Sequence, residues 1–259
     1  MSDILEELTN ARRADAALRE AEVPFDEMMR RAASAPRPRD FAAAFLGDGT
    51  NVIAELKKAS PSEGLIRGDF RPSALARELD AAGAAALSVL CEPHRFLGGE
   101  EYLVEARSVT NLPILYKDFL SSRYQIAAAR AAGADAVLLI AAVLDDRALR
   151  ELLGFARELG MEALVETHDE REIARAADCG AKVVGVNCRN LRNFSTDVSL
   201  LERLVGEIPS GCVRIAESGM HTPEAIRATK NAGANGFLVG TALMRAERPG
   251  QKLAELISR

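Results

Sequence analysis

One phrase recurs along this chain and limits what the chain can fold into. It reads AAGAAALSVL from Ala81, AAGADAVLLI from Ala131, DCGAKVVGVN from Asp178 and NAGANGFLVG from Asn231. In each copy an Ala-, Arg- and Glu-rich helical stretch closes on a glycine, the residue that tolerates the left-handed backbone wanted just past a helix end. An apolar segment of strand length follows at once. A looser copy, ELGMEALVE from Glu158, does the same. Helix, glycine and buried strand, repeated at intervals of about 20 to 35 residues, is the pattern of consecutive βα units.

The apolar segments are NVIAEL from Asn51, ALSVLC from Ala86, PILYK from Pro113, AVLLIA from Ala136, EALVE from Glu162, KVVGVN from Lys182, CVRIAE from Cys212 and GFLVG from Gly236. Their near-continuous apolar character suits parallel strands covered on both faces. Stretches between them, such as RPSALARELDAA and DDRALRELLGFARELG, carry one apolar stripe and one charged face. Eight such units in about 210 residues predict an α/β fold of the (β/α)8 TIM-barrel type over residues 49–259. An open doubly wound sheet is the rival. Residues 1–48 precede the first unit. Ile4, Leu5 and Leu8 begin a helical stripe, Phe25, Met28 and Met29 continue one as packing residues, and PRPRD breaks it. They are expected to form an N-terminal helical extension packed on the barrel, within one domain overall; a flexible appendage is the alternative.

The charge balance narrows the partners. A net charge of −5 argues against a chain that lives on nucleic acid or an anionic membrane, since both need a basic face. No stretch reaches the ~18 apolar residues of a membrane span. The opening MSDILEELTNARRADAALRE is charged and amphipathic, unlike a signal peptide. Cys91, Cys179, Cys188 and Cys212 lack CxxC spacing and fall in or beside predicted strands, so they read as small core residues of a reducing compartment, and a cytoplasmic location is expected. His94, His168 and His221 lie far apart in sequence and make no local metal motif. His94 and His168 read as surface or loop histidines.

In such barrels the active site lies where strands end and βα loops begin. Strand 1 ends in AELKKASPS, with Glu55 and Lys57 two apart and therefore pointing the same way. Strand 3 ends in LYKDF, with Lys117 beside Asp118. Strand 5 ends in LVETHD with Glu166, and strand 6 in GVNCRN with Asn187 and Arg189 on one side and Cys188 on the other, toward the core. Strand 7 ends in IAESG. Any one charge is explained by a solvated loop. Two lysines, an arginine and two glutamates at one end of one barrel instead predict a cleft of offsetting charges that can move protons. ESGMHTPEA and VGTALMRA each place glycine beside Ser or Thr ahead of a helix, in the strand 7 and 8 positions where such barrels hold phosphate. Gly219 and Gly240 then permit close approach and Ser218 and Thr241 add hydroxyls, which predicts a small phosphorylated substrate.

These residues resemble the indole-3-glycerol-phosphate synthase family of tryptophan biosynthesis. The matching phrases are IAELKKASPSEG, LCEPHRFLGG, PILYKDF, LVETHDE, VGVNCRNL, IAESGM and FLVGTALM, in the family's order over about residues 50–245. The resemblance implies a lyase that closes the ring of 1-(2-carboxyphenylamino)-1-deoxyribulose 5-phosphate with loss of CO2 and water. It implies Lys117 as general acid and Glu166 as base or partner acid–base group. Lys57 contacts substrate and can share the acid role, while Glu55 orients it. Asn187 and Arg189 hold the anthranilate portion, Ser60 lies beside the substrate, and Phe119 and Leu191 line the aromatic pocket. No cofactor and no metal is expected, because rearomatisation drives the later steps. A monomer or weak homodimer is expected. Two positions depart from the family pattern: Cys91 stands where Thr or Ser is usual, and Gly99-Glu100 where a Gly-Ser pair is usual. Glu100 is expected to bring negative charge near the loop over the aromatic ring.

Two other readings compete. A Schiff-base aldolase would use Lys117 as nucleophile. A non-catalytic binding paralogue would have no physical need for the charges of Glu55, Lys57, Lys117 and Glu166.

Overall fold

In the computed structural model, described over residues 4–188 and 198–258, eight parallel strands close into a barrel. They are β1 (Asn51–Leu56), β2 (Ala86–Leu90), β3 (Ile114–Lys117), β4 (Ala136–Ile140), β5 (Glu162–Thr167), β6 (Val183–Asn187), β7 (Val213–Glu217) and β8 (Gly236–Val239). Residues 51–54 of β1 pair with residues 236–239 of β8, while residues 53–56 pair with residues 86–89 of β2. The sheet therefore has no edge, and the open doubly wound alternative is ruled out.

The recurring phrase proves to be one device. Gly133 has φ 94°, the N–H of Ala134 reaches back to the carbonyl of Ala129, and that of Gly133 to Arg130. The same backward hydrogen bond joins Ala84 to Leu79, Ala181 to Ala176 and Ala234 to Thr229. Each is a Schellman closure of a helix C-terminus, which a residue bearing Cβ would strain. The chain then enters the next strand within three residues of the glycine.

The pleat decides what enters the barrel. Ile53, Leu115, Leu138, Leu164, Val183, Ile215 and Leu238 fill its interior, while Val52, Ala54, Val89 and Val165 face the helices. Side chains on one face of a strand recur every second residue. Two residues beyond Ile53, Leu115, Leu164 and Ile215 stand Glu55, Lys117, Glu166 and Glu217. The interior thus passes from apolar to charged in a single step at the C-terminal end.

Residues 4–48 touch both ends of the barrel. α1 (Ile4–Glu22) lies at the mouth, where Leu5 and Leu8 are buried. After α3 (Pro72–Ala81) and α4 (Glu100–Arg107) comes α5 (Arg123–Ala131), on which α2 (Phe25–Ser34) packs, with Phe25 6.1 Å from Phe155 and Tyr124 Oη donating to the Val23 carbonyl. The segment then turns beneath the barrel. Phe41 and Phe45 meet edge to face at 5.1 Å and join the interior cluster. Phe45 occupies the space a Cβ on Gly236 would need, its ring only 2.6 Å from that position, so these phenylalanines close the N-terminal end. No described helix is long and apolar enough to cross a membrane.

Candidate active site

The charged step gathers one lysine and three glutamates around a common centre. Lys117 Nζ lies 3.0 Å from Glu217 Oε2, 3.7 Å from Glu55 Oε1 and 3.7 Å from Glu166 Oε2. Lys57 Nζ, one pleat beyond Glu55, sits 2.8 Å from Glu55 Oε2. The three carboxylates are at most 4% exposed. Glu55, Lys57, Lys117, Glu166 and Asn187 all line one cavity at the mouth, as their strand-end positions predict. Glu217 lines it too and is Lys117's nearest partner, although the sequence reading did not single it out. Its signal was available: IAESG places Glu217 two residues past Ile215, as LVETHD places Glu166 two past Leu164.

Two glycines make the room. A Cβ on Gly185 of β6 would overlap Glu217 Oε1 and lie 3.1 Å from Leu164 Cδ1. A Cβ on Gly240 would overlap the Glu55 carboxylate and lie 3.1 Å from Lys57 Nζ. The space beside Gly240 is thus filled by Glu55 and Lys57, so this glycine serves the carboxylate cluster as well as any approaching anion.

The electrostatics follow from burial against pairing. Burial disfavours the Lys117 ammonium, but Glu217, Glu55 and Glu166 outweigh it and hold its pKa well above the ordinary lysine value. Burial also raises Glu217, and Lys117 only partly offsets this, so Glu217 stays well above the usual carboxylate range. Glu166 meets the same burial, yet His168 and Lys117 together hold it below the usual range. Two adjacent carboxylates with opposite shifts beside a protonated amine can divide acid and base roles.

Around this centre the mouth has a polar and an apolar side. Ser218 and Gly219 take left-handed backbone (φ 68° and 77°), a strained turn for a serine, and Ser218 Oγ donates to Asn187 Oδ1 at 2.8 Å. Thr241 begins the short helix after β8, and its hydroxyl is buried without a hydrogen-bond partner among the described residues. Ser60 lines the cavity, 3.4 Å from Ser62. The apolar side holds Phe119, its ring 6.1 Å from Phe96, together with Leu90, Leu138, Ile140 and Met220. Ile4, Leu5 and Leu8 of α1 complete it. Arg189 and Leu191 lie outside the described residues.

Two expectations change. His168 is no plain loop histidine: its ring stands between Glu166 and Glu172, 3.4 and 3.1 Å away. Glu100 does not reach the cavity, because it turns toward α1, accepting from Arg19 and from Tyr116 Oη. Its charge is taken up by Arg19, so the departure from the family pattern leaves the aromatic wall untouched. Asp118, next to Lys117, has its carboxylate gripped by Arg12 Nε and Nη2 of α1 at 2.7 to 3.0 Å. Cys188 is buried in the core, as its alternation predicts, and His94 is a half-exposed partner of Asp15.

A closed parallel barrel with lysines and glutamates converging at its C-terminal mouth defines an acid–base enzyme of the TIM-barrel class. The same architecture is shared with a mutant tryptophan synthase alpha-subunit from the hyperthermophile Pyrococcus furiosus, at TM-score 0.61 and 19% identity over 80% of this chain and 98% of that one. It is also shared with an N-acetylmannosamine-6-phosphate 2-epimerase from Clostridium perfringens, at TM-score 0.63 and 19% identity over 84% and 95%. Likeness at that identity speaks for the fold alone. Sequence goes further. The family model for indole-3-glycerol phosphate synthase matches residues 5–256. An indole-3-glycerol phosphate synthase of Streptomyces griseus is 45% identical over 98% of this chain and 95% of its own, and one of Campylobacter jejuni is 43% identical over 98% and 100%. This chain belongs to the indole-3-glycerol phosphate synthase family.

Proposed function

We propose that Lys117 and the carboxylates around it carry the reaction of this family, in which 1-(2-carboxyphenylamino)-1-deoxyribulose 5-phosphate closes to indole-3-glycerol phosphate with loss of CO2 and water. Ring closure turns a ketone oxygen into a developing alkoxide that needs a proton. Lys117 is built to carry one, because three buried carboxylates keep it an ammonium. That single arrangement carries the reading. A lysine held charged is a poor nucleophile, which favours the acid over the Schiff-base aldolase.

Glu166, ionised and 3.7 Å from Lys117, takes a proton in the rearomatisation and dehydration steps. Lys57 contacts the substrate, with Glu55 bridging it to Lys117 and orienting both. Glu217, as Lys117's hydrogen-bond partner, joins the reacting group and can return the proton. The phosphate is taken at the mouth by the backbone of Ser218, Gly219 and Gly240 and by the Thr241 hydroxyl, which has no partner among the described residues. The aromatic ring lies against Phe119, with Leu191 beside it, and Ser60, Asn187 and Arg189 hold the polar groups around it. Four free cysteines fit a reducing cytoplasm. The extension of residues 1–48 belongs with the barrel of residues 49–259 in one domain, as a monomer or weak homodimer, which a single unfolding transition and light scattering check. The direct test adds the carboxyphenylamino-deoxyribulose phosphate and follows indole fluorescence. The wild type forms product and Lys117→Ala does not; an equally fast Lys117→Ala enzyme overturns the assignment. Trapping with borohydride leaves no adduct on Lys117 if the acid reading is right.

A further inference from the structure

The two carboxylates that flank Lys117 are not equivalent, and a third element makes them differ. Glu166 is bridged: its Oε2 faces Lys117 at 3.7 Å, and its Oε1 faces His168 Nε2 at 3.4 Å. The His168 ring is held in turn by Glu172, in the first turn of α7 (Glu170–Asp178), whose Oε2 lies 3.1 Å from Nδ1 and accepts the His168 backbone N–H at 2.8 Å. Among the described residues Lys117 is the one cation paired with Glu217, and Glu217 Oε1 is buried without a hydrogen bond. Among those residues the charged groups facing the imidazole are Glu166 on β5 and Glu172 on α7. Those facing Glu166 are His168, Lys117 on β3 and Glu217 on β7, with Glu55 on β1 beyond Lys117.

We infer that His168 is a positioning residue, an imidazolium clamped between Glu172 and Glu166 that keeps Glu166 ionised and turned toward Lys117, and so leaves Glu217 as the mouth carboxylate that holds a proton. Nδ1 hydrogen-bonds Glu172, and Nε2, which has no hydrogen bond among the described residues, stands at ion-pair distance from Glu166, so the doubly protonated ring is attracted from both sides. Burial opposes that charge, but Glu166 and Glu172 overcome it and hold the ring's pKa near 10. A buried carboxylate oxygen without a donor, as on Glu217, is costly when ionised, so the shared proton settles there. The inference rests on Glu166 acting as an acid–base group.

Two measurements test it on the full chain. In 15N-labelled protein the three histidines are resolved by long-range 15N–1H spectra, His168 being assigned by its loss in His168→Gln. Both ring nitrogens of His168 should stay protonated at pH 8.5; a neutral ring there overturns the inference. The acid limb of the kcat/KM profile should move upward by about one pH unit in His168→Gln, the size expected for removing one nearby opposite charge. Glu172→Gln should move it the same way by less, because it removes the clamp and leaves the ring. A folded His168→Gln enzyme with an unshifted profile overturns the positioning role, even if it is uniformly slower. Full activity in Glu166→Gln would instead overturn the acid–base reading, and the ring titration tells the two failures apart.

Discussion

Replacing Gly185 by alanine should damage catalysis without touching a charged residue. Gly185 sits mid-strand in β6, and its Cα hydrogen points into the barrel, where an added methyl would overlap Glu217 Oε1 and press on Leu164 Cδ1. Glu217 is the flexible party, so it must swing away and give up its 3.0 Å hydrogen bond to Lys117. A hydrogen bond in which one partner is charged, here the Lys117 ammonium, is worth about 1.5 to 3 kcal/mol, so if that loss falls on the transition state the rate drops roughly 10- to 150-fold. Overpacking costs about 1 to 3 kcal/mol of stability, offset in part by the ~0.4 to 1 kcal/mol that alanine gains over glycine through the unfolded chain. The assay is indole fluorescence at saturating and limiting substrate, with urea unfolding in parallel. Gly154→Ala in α6 (Asp146–Glu158), where nothing lies within 4 Å of the added methyl, is the matched control and should leave the rate unchanged. The decisive comparison repeats Gly185→Ala in a Glu217→Ala background, where the methyl has space. There it should add little, since the two changes act on one contact. Equal cost in both backgrounds refutes the reasoning.

Three further outcomes follow from the same contacts. Arg12→Met should cost about 3 to 5 kcal/mol in urea unfolding, because it strands the buried Asp118 carboxylate, and Arg12→Met/Asp118→Asn should cost much less than the sum of the singles. His168 has a folded pKa raised to about 10 from an ordinary 6.5, so the stability it contributes is fully present below pH 6.5 and disappears as pH rises through 10. The Tm advantage of wild type over His168→Gln should therefore shrink steadily between pH 7 and 10.5, and a constant difference would contradict this. Thr241→Val should raise KM roughly 10-fold or more with little change in kcat if its buried hydroxyl meets the phosphate, and an unchanged KM removes Thr241 from the phosphate site.

Much of the fold was legible because its signals are local. A glycine after a helix and an apolar run after the glycine depend on neighbours along the chain, so the βα repeat could be read from the phrases at Ala81, Ala131, Asp178 and Asn231, and all eight strands from the apolar segments. The period of two along a strand likewise placed Glu55 with Lys57, and set Lys117, Glu166 and Asn187 at the mouth. Distances between strands are another matter. Lys117 and Glu217 are 100 residues apart, and only the closure of the barrel and its register bring them within 3.0 Å. The same closure decides that Gly185 and Gly240 must lack side chains, since what fills their space comes from other strands.

The helical stripe of Ile4, Leu5 and Leu8 was visible in the sequence, but nothing local tells that it covers the mouth while Phe41 and Phe45 seal the opposite end. Asp118 reads as a neighbour of Lys117, yet adjacent residues on a strand face opposite ways, and Arg12 of α1 claims it. His168 reads as a loop residue because the two glutamates that bracket it acquire meaning only when buried. Sequence by itself determined which residues end strands and which way they point, as backbone sterics act between near neighbours. Tertiary structure alone decided which charges meet, how far water is excluded from them and therefore which hold protons, because Coulomb interaction and desolvation depend on distance through space.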